Sequence, residues 1–157
     1  ERREVGPVEF CVLFEAEAAA LGLELDARRI LAGLHGELRP DMVEALRRCG
    51  STLRTALLTN NVTPLADQEV AGSSVLEVVD MFDVVVESSV VGCRKPEPAF
   101  YGLACERLGV EPSACVFLDD LGVNLKPARA MGMTTIKVVD PATAIAQLEQ
   151  VLGIQLG

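Results

Sequence analysis

The chain has 157 residues, half of them apolar, and carries 23 Asp and Glu against 14 Lys and Arg for a net charge of −9, with an isoelectric point near 4.6. That balance argues against nucleic acid or an anionic membrane surface as the main partner, and no apolar run approaches the roughly 20 residues a bilayer crossing needs. The five cysteines are scattered without metal-type pairing and read as reduced core residues of a cytoplasmic protein, while His35, the single histidine, argues against a Ser-His-Asp triad or a multi-histidine metal site.

In chain order, Phe10, Leu13, Phe14, Ala18 and Leu21 recur at helical spacing and Gly22 stands where such a helix would stop. This predicts an amphipathic first helix. A second, over residues 26–34, has Asp26 as its N-cap and breaks at His35-Gly36. Arg39-Pro40-Asp41 opens a third, with Met42, Ala45, Leu46 and Cys49 on one face and Gly50 at its end. The pattern then changes to short apolar runs alternating with helical ones, the signature of a parallel sheet covered on both faces. Strands are predicted over 53–58, 82–86, 114–118 and 134–138. Helices are predicted over parts of 64–79, from Pro98 to a stop at Gly109, over 124–131 and over 141–152. The loop 92–98 is rich in turn residues. The expected fold is therefore α/β, one domain with a helical annex at its N-terminal end.

Ligands of open α/β sheets collect where strands end. The strand 114–118 ends in Asp119-Asp120, and the strand 53–58 ends in Thr59-Asn60. Two ionised carboxylates at the lip of an apolar strand repel each other unless a cation or hydrogen-bond donors compensate, and a hard dication is the simplest compensation. The Thr59 hydroxyl and the amides after it can donate to phosphate oxygens. Lys95, reaching in from the loop, can neutralise charge on the same group. Each piece alone has a plainer reading: Asp-Asp starts a turn, Thr-Asn is a turn, and Lys95-Pro96 is solvated loop.

Taken together, LLTNN (57–61), GCRKPEPAFY (92–101) and VFLDDLGVNLKPARAMGMTTIKV (116–138) closely resemble the second, third and fourth motifs of the haloacid dehalogenase (HAD) superfamily. Residues 39–157 are most similar to its phosphatase-like domains, as found at the N-terminus of soluble epoxide hydrolases and in acyl-CoA-dehydrogenase-like proteins. The resemblance implies a HAD-like Rossmannoid parallel sheet with helices on both faces. It further implies a Mg²⁺-dependent phosphatase acting on a small phosphomonoester through an aspartyl-phosphate. Thr59 and Asn60 would bind the phosphoryl group, and Lys95 would stabilise its charge and that of the nucleophile. Asp120 would be the carboxylate ligand of Mg²⁺, with Asp119 in a supporting or water-mediated role, and Asn124 would hydrogen-bond near the metal shell, although it reads equally well as a helix N-cap. A metal-free 2-haloacid dehalogenase and a non-catalytic regulatory or assembly domain are the alternatives, and the Asp-Asp pair speaks against the first.

The family's first motif, a strand ending in Asp-x-Asp whose first aspartate is the nucleophile, has no counterpart here. The nearest segment, CVLFEAEAAAL (11–21), offers Glu15 and Glu17, but its helical spacing and the extra methylene of Glu argue against it. Residues 1–35 resemble part of the family's helical cap, and residues 36–157 a core without its first strand. In the family that strand is central, between 53–58 and 114–118, so its removal should leave two unpaired edges. The expectation is a truncated form of a larger polypeptide, inactive alone and prone to self-association through those edges.

Overall fold

The computed structural model describes residues 5–32, 37–61, 64–65 and 73–156. Helix α1 (Pro7–Ala20) turns back at Leu21 and Gly22 and packs on α2 (Ala27–Ala32). The Asp26 side chain accepts the Arg29 N–H at 3.0 Å, which makes it the N-cap expected. The His35-Gly36 break lies outside the described residues. Helix α1 departs from the expected amphipathic pattern: Cys11 and Ala18 are buried, but Val8, Phe10, Val12 and Leu13 are all exposed. Its apolar residues run around the helix instead of forming one stripe, because the sequence between Pro7 and Ala20 has only Glu9, Glu15 and Glu17 to mark a polar side.

Helix α3 (Pro40–Gly50) starts with proline at its first position and buries Ala45 and Cys49. The alternating part of the chain follows: β1 (Ala56–Thr59), α4 (Ser73–Val79), β2 (Val84–Glu87), α5 (Ser88–Val91), α6 (Pro98–Leu108), β3 (Val116–Asp119), α7 (Gly122–Ala130), β4 (Thr134–Lys137) and α8 (Pro141–Leu152). Helix α5 is a single turn that follows β2 directly and lies outside the helices expected from the sequence. Helix α7 starts two residues earlier than expected, with Leu121 at its N-cap, so Asn124 lies inside it and is not a cap. Gly109, just past α6, has φ +66°, and a side chain there would meet the Arg54 guanidinium at 3.4 Å. The left-handed backbone is what calls for glycine, since the contact with the flexible arginine end is an ordinary one.

Among the described residues all strand pairing is parallel, with Leu57 opposite Val85 and Phe117 opposite Thr135. Side chains alternate between two cores. Val116, Leu118 and Ile136 pack with α3 and α8 on one face, whereas Phe117, Val86 and Leu58 pack with α6 and α7 on the other. This is the doubly covered sheet expected, but it is divided. The strands form two separate pairs, β1 with β2 and β3 with β4. An apolar cavity of about 740 Å³ lies where β1 and β3 face one another, lined by residues of both strands. No strand among the described residues fills it.

Candidate active site

The C-terminal ends of β1 and β3 meet through one residue of the loop between α5 and α6. The Asn60 side chain, one residue past β1, holds the Lys95 backbone from both sides: its carbonyl oxygen accepts the Lys95 N–H at 2.9 Å, and its Nδ2 donates to the Lys95 carbonyl at 3.0 Å. The side chain of Lys95 then crosses to β3, where Nζ lies 2.8 Å from Asp119 Oδ2. With side-chain exposures of 15% and 3%, this is a largely desolvated ion pair.

Asp119 is fully engaged. Its other oxygen, Oδ1, accepts from the Leu121 N–H at 2.8 Å and from Asn124 Nδ2 at 2.9 Å. Burial pushes the Asp119 carboxyl up, but the hydrogen bonds from Lys95, Leu121 and Asn124 and the charge of Lys95 outweigh it, so the group sits below its ordinary value. Behind it, the buried Tyr101 hydroxyl donates to the Asn124 carbonyl at 2.7 Å. Burial, with the Asp119 charge adding to it, raises that phenol to about 12. Tyr101 also meets Phe117 edge-on at 5.2 Å between ring centroids.

A lowered folded-state value means that the unfolded chain binds the proton more readily. Stability from Asp119 is therefore fully present above its unfolded value of about 3.9 and is lost as pH falls through the lower folded one. Urea midpoints measured at pH 6 and pH 3 are expected to differ less in Asp119→Asn than in the parent chain.

Of the residues singled out in the sequence, Asn60, Lys95, Asp119 and Asn124 are joined by these bonds. Thr59 is half-buried at the last position of β1, directly before Asn60. Asp120, by contrast, is exposed. Asp119 and Asp120 thus differ in kind: one is saturated by protein donors and the other is open to solvent. Among the described residues no three His, Cys, Asp or Glu side chains cluster as a metal site. One exposed carboxylate, next in sequence to the Lys95–Asp119 pair, fits an ion that fills most of its shell with water and substrate oxygens, as Mg²⁺ does, and does not fit a closed protein cage.

The sequence reading missed a second polar cluster behind Asn60. Ser88, fully buried, accepts the Asn61 N–H at 3.0 Å and donates to the Asn61 carbonyl at 3.1 Å. Asn61 Oδ1 accepts from Ser89 Oγ at 3.1 Å, and Asn61 Nδ2 donates to Glu87 at 2.6 Å. The signal was the parallel register: Thr59 pairs with Glu87, so the residues just past both strand ends are neighbours. These bonds fix the backbone on which Thr59 and Asn60 sit.

A family model described as haloacid dehalogenase-like hydrolase matches residues 5–132. The chain is 44% identical over 112 residues to bifunctional epoxide hydrolase 2 of Rattus norvegicus, covering 71% of this chain and 20% of that protein. It is 44% identical over 119 residues to acyl-CoA dehydrogenase family member 10 of Mus musculus, covering 74% of this chain and 11% of that one. Identity to the phosphatase MT3486 of Mycobacterium tuberculosis is 35% over 97 residues, 62% of this chain and 42% of that protein. The chain therefore spans a fifth or less of the two vertebrate relatives. Among solved structures, a predicted HAD-like hydrolase from Porphyromonas gingivalis superposes with a TM-score of 0.72 at 21% identity, covering 96% of this chain and 75% of that one. A HAD family enzyme from Bacteroides thetaiotaomicron, crystallised with magnesium and inorganic phosphate, superposes with a TM-score of 0.59 at 18% identity over 87% of this chain and 71% of that one.

Proposed function

The chain belongs to the haloacid dehalogenase-like hydrolase family, and from that membership we propose that it is the larger part of a Mg²⁺-dependent phosphatase module for small phosphomonoesters, whose attacking aspartate comes from outside residues 1–157. The observation that carries this reading is the Lys95 arrangement: a lysine held by its backbone to Asn60 and by its ammonium to Asp119 at the ends of two parallel strands. A cation fixed in place at a strand-end crevice needs no reorganisation to meet a phosphoryl group, which is what electrostatic catalysis requires.

In this proposal the Thr59 hydroxyl and the Asn60 side chain orient the phosphoryl oxygens, while Lys95 offsets their charge. Asp119, with Asn124 behind it, is a positioning residue that sets the direction of the Lys95 ammonium. Asp120 would hold Mg²⁺, which when bound neutralises charge on the transferring group. Residues 1–35 would be part of a helical cap, and the network of Asn61, Ser88 and Glu87 keeps the Thr59 turn rigid.

The test uses the chain as given and a longer polypeptide extended through the coding sequence preceding Glu1, assayed on a chromogenic phosphate monoester. The extension is expected to encode a strand ending in Asp-x-Asp. The longer protein should hydrolyse the ester, lose that activity in EDTA and recover it with Mg²⁺, while the 157-residue chain stays silent. An extended protein that folds but shows no Mg²⁺-dependent turnover would favour the non-catalytic assembly role, and halide release without metal would favour dehalogenation.

A further inference from the structure

We propose that Cys105 and Cys115 form a reversible dithiol–disulfide couple, closed by exchange with a small-molecule disulfide such as oxidised glutathione, and that the closed form staples α6 to the start of β3. The inference rests on these two side chains and not on the hydrolase reading.

Both cysteines are free, and their sulfurs lie 3.9 Å apart. Main-chain bonds at each end of the connecting segment set this approach. Cys105 lies in the last turn of α6, where its carbonyl accepts the Val110 N–H at 3.1 Å, just past the left-handed Gly109. Cys115 follows a single 3₁₀ turn (Pro112–Ala114); its N–H donates to the Pro112 carbonyl at 3.0 Å, and its carbonyl accepts the Thr134 N–H at 3.0 Å. Both backbones are thus pinned with the two thiols facing one another. A disulfide needs about 2.05 Å between its sulfurs, so the closure that remains is of the size a side-chain rotation supplies.

Cys115 is half-buried and Cys105 is buried, so Cys115 meets an outside reagent first. Its thiolate attacks one sulfur of the small disulfide and releases the first small thiol, leaving a mixed disulfide. The Cys105 thiol then gives up its proton and attacks the Cys115 sulfur, releasing the second. In sum the two protein thiols lose two electrons and two protons, and one small disulfide is reduced to two thiols. Burial, with the neighbouring Cys105 adding to it, pushes the Cys115 thiol up to about 11, so little thiolate is present at neutral pH and the first step is slow. The same surroundings give the reduced form no stabilised thiolate, which favours the bond once it is made. The couple is therefore slow and lasting. Its effect follows from what it joins: α6 touches β1 and β2, whereas Cys115 leads into β3 and is bonded to Thr134 of β4. The bond would link the two halves of the divided sheet along the wall of the cavity, which both cysteines line.

The experiment incubates the full 157-residue chain with oxidised glutathione at pH 8.5 until its mass is constant, then alkylates the remaining thiols and digests with trypsin. Cleavage after Arg94, Arg107 and Arg129 puts Cys105 and Cys115 on separate peptides, 95–107 and 108–129, which stay together only if the bond joins them. The joined pair is expected from the monomer, parted by dithiothreitol. Cys105→Ala should stop at the mixed disulfide and carry glutathione on Cys115. The joined chain should also unfold at a higher urea concentration than the same chain after dithiothreitol. Absence of the joined pair, its presence in dimers alone, or a link from either cysteine to Cys49 or Cys93 instead would overturn the proposal. So would a Cys105→Ala chain with Cys115 unmodified, or a urea midpoint that the bond leaves unchanged or lowers. The decisive reading uses the unaltered chain and no substrate. An extended protein without turnover would therefore sink the phosphatase reading alone, and a missing bond would sink only the couple.

Discussion

Lys95→Met is expected to cost the extended phosphatase about a thousandfold in turnover, the scale seen when a preorganised charge-stabilising donor is removed. The same substitution should also destabilise the 157-residue chain, by about 3 kcal/mol, because it leaves the Asp119 carboxylate buried without its cation. Two effects of one change can be separated. In Lys95→Met combined with Asp119→Asn, no uncompensated charge remains, and Asn can still accept from Leu121. Urea unfolding of the double variant should recover most of the lost stability, while turnover stays lost. If stability and activity return together, Lys95 holds the fold and does not act on substrate. If turnover survives Lys95→Met unchanged, the crevice is not the site of reaction.

Phe100→Ala should remove about 4 kcal/mol, a large part of the margin of an ordinary domain. Phe100 is completely buried in the third position of α6, within the core shared with Val86, Ala104 and Ala128. Helix α6 touches β1, β2 and α7, so the cavity left by the ring lies under the β1–β2 pair. The loss should also reach the loop, since the Phe100 N–H donates to the Glu97 carbonyl at 3.0 Å, two residues after Lys95. Faster amide exchange at Lys95, whose N–H is held by Asn60, would report that loosening. Val139→Ala, at a residue 81% exposed, is the matching control and should change stability by less than about 0.5 kcal/mol. A Phe100→Ala chain as stable as that control would mean that the core around α6 is not what holds the divided sheet together.

The alternating half of the molecule was legible because its signals are local and repeated. Pro98 and Gly109 bracket α6, Pro141 and Gly153 bracket α8, and the apolar runs ending in Thr59 and Asp119 fall within three residues of the strands observed. What stayed hidden depends on contacts between distant residues. That Asp119 spends both oxygens on protein donors while Asp120 spends none follows from which carboxylate the β3 pleat turns inward, and adjacent identical residues give no hint of it. The Asn61–Ser88 bonds join positions 27 apart, and only the parallel register of β1 and β2 makes them neighbours. In α1, a spacing that reads as one apolar stripe was the visible part of a helix apolar nearly all around.

Lys95 is gripped at two points that belong to different halves of the sheet, its main chain by Asn60 and its ammonium by Asp119. Such a residue behaves like a keystone whose tolerance is set by span. Inserting or deleting a single amino acid between 92 and 98 would put its two anchors out of phase, even if every side chain in the loop were kept. Evolutionary drift in this segment should accordingly alter its composition far more freely than its length.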